Sequence, residues 1–92
     1  MPKLTEAEVV EGVKKLSGWS RKGEEISKSY TFKAFAEGIR FVDRVAAAAD
    51  KADHHPDIDI RWTTVTMRLS THSAGGLTRK DLEMAASIDT LL

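Results

Sequence analysis

The apolar residues of this chain switch between two spacings, and that switching decides most of what the chain can fold into. From Lys33 to Ala52 they recur every three or four residues: Phe35, Ile39, Val42, Ala46 and Ala49 make one stripe, and Phe41, Val45 and Ala48 widen it. This is the signature of one face of a long helix. Pro56 disfavours helical backbone at His55, so the helix is predicted to end near Asp53. The spacing then changes to alternation. Ile58, Ile60 and Trp62 alternate with Asp57, Asp59 and Arg61, and Val65, Met67 and Leu69 alternate with Thr66, Arg68 and Ser70. Alternation places the two sets on opposite faces of a strand. It predicts a hairpin of two half-buried strands, turning around Thr63-Thr64, with Trp62 in the core.

The flanks repeat both devices. Thr5 with Glu8 reads as a capping box and Leu4 with Val9 as a hydrophobic staple, opening a helix over about Glu6 to Leu16 that Gly18 ends. Gly23 marks a turn between Trp19–Lys22 and Ile26–Phe32, a second hairpin. After the Gly75-Gly76 loop, Thr78 with Asp81 and Leu77 with Leu82 repeat the opening device, for a last helix over about Arg79 to Thr90. The order α-β-β-α-β-β-α predicts an α+β fold: a single four-stranded antiparallel sheet with helices packed on one face. The last helix carries two apolar stripes. Leu82, Ala85 and Ala86 suit the sheet; Met84, Ile88 and Leu91 are expected at a subunit interface, with a core that wraps the helix as the other reading.

Size and charge exclude several classes. At 92 residues, the chain is expected to form one domain over 1–92. Without Cys it has no disulfide framework, thiolate nucleophile or thiolate metal site. Its 14 basic residues balance its 14 acidic ones, so no nucleic acid and no anionic membrane is expected as main partner. Val45–Ala49, its longest apolar run, is far short of the ~20 residues of a membrane span. The N-terminus shows neither signal core nor presequence, so a cytoplasmic location is expected.

The histidines stand at ends of elements, where a scaffold presents functional groups. His54 and His55 follow the long helix; His72 follows the last strand. Pairing the last two strands sets Pro56 beside Thr71 and brings His72 to the His54-His55 corner. Three surface imidazoles fit this pattern. So does a zinc site, although adjacent His residues rarely aim both rings at one ion. An acid/base site also fits, because imidazole titrates near neutrality without perturbation. Asp50 lies four residues before His54, placed to orient an imidazole, and Asp53 lies beside the pair. Ser70 and Ser73 lack the glycine-framed elbow of a nucleophile. Trp19, next to Gly18, is a candidate pocket wall.

These residues resemble a known family. Asp53-His54-His55-Pro56-Asp57, then Ser70-Thr71-His72-Ser73-Ala74-Gly75-Gly76-Leu77-Thr78 with Asp81 beyond, are similar to the pterin-4a-carbinolamine dehydratases. Gly18-Trp19, Tyr30-Thr31-Phe32, Phe35 and Phe41-Val42 with Val45-Ala46 extend the resemblance over essentially the whole chain.

The resemblance implies dehydration of 4a-hydroxytetrahydropterin to quinonoid dihydropterin, which recycles the cofactor of aromatic amino-acid hydroxylases. It implies His54, His55 and His72 as the active-site histidines, with Asp53, Ser70, Thr71, Ser73 and Trp19 contacting the pterin and Asp50 as a supporting carboxylate. It implies neither a metal nor a redox cofactor, and a homodimer or homotetramer. A protein-binding module of the same fold and a relative acting in molybdopterin metabolism are the other readings.

Overall fold

The computed structural model describes residues 2–92. In chain order the elements are α1 (Glu6–Lys14), β1 (Ser20–Lys22), β2 (Glu25–Thr31), α2 (Phe35–Ala52), β3 (Asp57–Arg61), β4 (Thr64–Leu69), a 3-10 turn (His72–Ala74) and α3 (Arg79–Asp89). The expected order α-β-β-α-β-β-α is the one observed. The capping box of α1 is complete: Glu8 N–H donates to Thr5 Oγ1 (3.2 Å) and Thr5 N–H to Glu8 Oε1 (2.8 Å).

The strands form one antiparallel sheet in the order β1-β2-β4-β3. The two hairpins therefore join through β2 and β4. Their register pairs Ile26 with Leu69, Lys28 with Met67 and Tyr30 with Val65, which share one face. Ile26, Tyr30, Val65, Met67 and Leu69 are buried there. On the other face Ser29 and Thr66 stand opposite each other with their hydroxyls 2.8 Å apart. That face is polar throughout the β2–β4 pair.

The helices cover the apolar face. Phe41 of α2 meets Tyr30 and Phe32 with ring centroids 4.9 and 5.3 Å away, within the range that favours tilted aromatic pairs. Gly38 is where α2 comes close to β4: a Cβ there would stand 3.4 Å from both Val65 Cγ2 and Phe32 Cδ2. α1 lies on α3, where a Cβ at Gly12 would overlap Leu82. At the end of α3, Asp89 accepts from Trp19 Nε1 (3.1 Å), Lys28 Nζ (2.8 Å) and Tyr30 Oη (2.7 Å), which pins the helix over β1 and β2. No helix is long and apolar enough to cross a membrane among the described residues.

Three expectations are corrected. The buried stripe of α2 is Gly38, Phe41, Val45 and Ala49. Phe35 is 50% exposed and Ala46 is also outside, so the Phe35–Ala46 stripe is a flank. Arg44, on the opposite flank, donates to Leu91 O (2.7 Å) beyond α3. The Phe35 flank thus faces away from α3, toward the β3 edge.

Trp62 is not core. It occupies the β3–β4 turn with φ 53° and is 77% exposed. The turn falls at Trp62-Thr63, between Arg61 and Thr64, so Trp62 is the first residue outside the ladder. Ile58 and Ile60 point to the helix side but are exposed, because β3 lies beyond the β4 that α2 covers.

Met84 and Ile88 belong to the core of their own chain, and Leu91 packs against it. They are not a free interface stripe. Helix α3 packs against α2 and meets α1 at Leu82, so it buries more than one side.

Candidate active site

The end of α2 sets the first two histidines. Asp53 adopts left-handed backbone (φ 51°, ψ 42°), which few residues other than Gly and Asn/Asp adopt readily. The chain turns sharply there. His54 N–H closes back on Ala49 O (3.1 Å), satisfying a carbonyl at the helix end. Two adjacent histidines leave that turn in different directions and meet different carboxylates.

His54 points inward. Its Nε2 lies 2.6 Å from Asp81 Oδ1, and its side chain is only 11% exposed. Asp81 is fully buried. Its other oxygen accepts from Thr71 Oγ1 (2.8 Å) and from Thr78 N–H (2.9 Å). The hydroxyls of Thr71 and Thr78 are 2.9 Å apart. A buried carboxylate is costly unless hydrogen-bonded, and here both oxygens have partners.

His55 points outward. Its Nε2 lies 2.9 Å from Asp50 Oδ1, and both side chains are largely exposed. Asp50 does orient an imidazole, but that imidazole is His55 and not His54.

His72 starts the 3-10 turn after β4. Thr71 and Gly76 exchange both backbone bonds (3.0 and 3.2 Å), which closes the loop between them. His72 and Ser73 stand exposed on this loop. Since Thr71 is tied to Asp81, and Asp81 to His54, the loop bearing His72 is fastened to His54 through one carboxylate.

The remaining candidates divide. Ser70 Oγ donates to Glu24 O (2.7 Å), so its hydroxyl proton ties β4 to the β1–β2 turn. Asp53 is exposed beside the pair. Trp19 is buried, with its Nε1–H given to Asp89. Asp89 stands eight residues along α3 from Asp81, about 12 Å at 1.5 Å per residue. The structure does not bring Trp19 to the histidines. Asp81 escaped the reading of the residues as a site group because Thr78-x-x-Asp81 is also a helix-capping pattern, and the capping bond does form.

His54 also lines a cavity of about 370 Å³ between the end of α2 and α3, with Ala52, Lys80, Glu83, Met84 and Ser87 as its other walls. Among the described residues no three His, Asp or Glu side chains are set to hold a metal ion. His54 is an imidazole backed by a buried carboxylate and set beside a cavity, a pairing that suits proton transfer.

One antiparallel sheet with helices packed on one face defines a small α+β domain, with His54 and His55 at the end of α2 and His72 on the loop after β4. Comparison with known proteins narrows the class. The family model described as "Pterin 4 alpha carbinolamine dehydratase" matches residues 2–91. A relative from Nocardia farcinica that carries the same family name is 51% identical over 88 residues, covering 96% of this chain and 93% of its own. Another from Roseiflexus castenholzii is 52% identical over 89 residues, covering 97% and 96%. The crystal structure of a transcriptional coactivator/pterin dehydratase from Brucella melitensis superposes with a TM-score of 0.92 at 35% identity, covering 97% of each chain. A pterin dehydratase-like protein identified as a RuBisCO assembly factor in the alpha-carboxysome matches with a TM-score of 0.65 at 26% identity, covering 79% of this chain and 84% of that one. The chain belongs to the pterin-4a-carbinolamine dehydratase family.

Proposed function

We propose that residues 1–92 work as one domain that dehydrates 4a-hydroxytetrahydropterin to quinonoid dihydropterin by histidine acid/base catalysis. The observation that carries this reading is the 2.6 Å link from His54 to buried Asp81, with Thr71, the neighbour of His72, on the other oxygen. In the reaction the C4a–O bond breaks and the hydroxyl leaves as water with a proton from an acid. N5 loses its proton to a base, and its electron pair forms the C4a=N5 bond. One imidazolium and one neutral imidazole supply both transfers, each typically ~10²- to 10⁴-fold. His54 and His72 take these roles. His55, exposed and steadied by Asp50, binds and orients the pterin. After a two-electron reduction by a separate reductase, the product serves again in tetrahydropterin-dependent aromatic amino-acid hydroxylation in the cytoplasm.

The active form is a homodimer or homotetramer. Phe35, Ile58, Ile60 and Trp62 are exposed along the β3 side, an apolar surface that a second copy would cover. The direct test of function is a stopped-flow assay of carbinolamine dehydration with purified protein, after subtraction of the spontaneous reaction. A rate no higher than background would refute the reading.

A further inference from the structure

We infer that Asp81 is a positioning residue that fixes the tautomer of His54, so that Nδ1 is the atom with which His54 moves protons. The first step is acceptor chemistry. A carboxylate only accepts, so the nitrogen 2.6 Å from Asp81 Oδ1 carries the hydrogen: His54 is the Nε2–H tautomer. Its Nδ1 then holds the lone pair. The second step is access. Nε2 faces a side chain with no exposed surface, whereas Nδ1 has no partner in the protein and is not buried, since no buried side-chain nitrogen is left without one among the described residues; the ring itself lines the cavity beside α3. When Nδ1 takes a proton, Asp81 stabilises the imidazolium from the opposite nitrogen. This is the role a buried carboxylate plays behind an imidazole in acyl-transfer triads.

The third step is what holds Asp81. Thr71 Oγ1 and Thr78 N–H both donate to Oδ2, leaving Oδ1 for His54. The carboxylate therefore cannot swing away from the imidazole without losing two buried bonds. The same bonds make a sharp distinction possible. In Asp81→Asn, the two donors require the amide oxygen on their side. The amide NH₂ is then turned to His54 and donates to Nε2. That inverts the imidazole to the Nδ1–H tautomer and removes the lone pair from the reacting edge. The charged groups sharing the cavity wall with His54 are Lys80 and Glu83, and Asp50 is occupied by His55. None of the three lies between His54 and Asp81.

The inference rests on the dehydratase reading for its catalytic meaning, but its structural core does not. ¹⁵N NMR of the imidazoles, assigned with a His54→Gln control, reads the tautomer directly in the intact protein. The expected result is Nε2–H in the native chain and Nδ1–H in Asp81→Asn. The variant should also lose about 10²-fold or more in kcat with KM nearly unchanged. A native Nδ1–H tautomer overturns the inference, even if Asp81→Asn does not fold. So does a folded Asp81→Asn with native kcat. Absence of dehydration by the native chain refutes the reading of function alone, and the NMR result then stands by itself.

Discussion

Lys28 and Asp89 form an ion pair, Nζ to Oδ1 2.8 Å, that joins the middle of β2 to the last residue of α3. A carboxylate at a helix C-terminus opposes the helix dipole, so this pair offsets a local cost. Burial alone would raise the Asp89 carboxyl. The hydrogen bonds from Lys28, Tyr30 and Trp19 and the charge of Lys28 outweigh it and hold the group below its ordinary value of 3.8. A carboxyl lowered on folding contributes stability that is present above its unfolded value and lost as pH falls through the folded one. Asp89→Asn should therefore cost about 1–3 kcal/mol at neutral pH, and the difference from the native chain should shrink below pH 3.8. Thermal melting from pH 7 to 2 checks it; a difference that stays constant over this range contradicts it.

Tyr30 extends the same cluster to the alkaline side. Burial first, then the hydrogen bond to Asp89 and the charge of Asp89, push its phenol far above the ordinary value of 10.0. A group raised on folding contributes stability present below its unfolded value and lost as pH rises toward the folded one. The native chain should thus lose stability above pH 10.0, and Tyr30→Phe should lose less of it there. Spectrophotometric titration should show no phenolate at Tyr30 until the chain unfolds. A normal titration in the folded chain would rule this out.

Much of this fold was legible from spacing. The 3.6 and 2.0 periods mark α2, β3 and β4, because burial of one face imposes them on the sequence, while β1, Ser20-Arg21-Lys22, has no apolar residue and was marked only by the turn at Gly23. The capping residues Thr5, Glu8, Thr78 and Asp81 mark where helices start. What spacing does not carry is which neighbour covers a face. Phe35 and Phe41 both lie on apolar stripes of α2, yet only Phe41 meets the sheet. Trp62 continues the alternation of β3 but falls in its turn. That His54 and His55 leave the end of α2 and His72 follows β4 was legible. Their different partners were not, because Asp50 and Asp81 reach the histidines through the turn at Asp53 and through packing of α3 on α2.

The corrected burial moves the expected interface. Ile88 is fully buried in its own core, so Ile88→Asp should unfold the chain instead of separating subunits. Among the described residues, four of the six exposed large apolar ones, Phe35, Ile58, Ile60 and Trp62, lie at the β3 edge and the Phe35 flank of α2; Val10 and Leu92 lie apart from them. Sedimentation at micromolar concentration should show two or four copies. Ile60→Lys with Trp62→Glu should shift the protein toward one copy while leaving its helix and strand content intact. A native chain that sediments as a 10.2 kDa species would refute the assembly.

The histidines divide by surroundings, and so should their variants. His54 is almost enclosed and bonded to Asp81, whereas His72 stands exposed on the loop that Thr71 ties to the same carboxylate. If these two share the proton transfers, His54→Ala and His72→Ala should each lower kcat by about 10²-fold or more, with a smaller effect on KM. His55 pairs with Asp50 at the surface, so His55→Ala should raise KM more than it lowers kcat. The double variant of His54 and His72 should cost less than the product of the singles, because groups acting on one transition state are not additive. His54→Ala also leaves Asp81 buried without its imidazole, at a cost of about 1–3 kcal/mol or more. Its melting temperature must therefore be measured beside its rate, and His54→Gln, which keeps a donor near Asp81, separates lost stability from lost chemistry. Native turnover in both folded single variants, after subtraction of spontaneous dehydration, would remove the histidines from proton transfer and leave a pterin-binding or protein-binding role for the same corner of the fold.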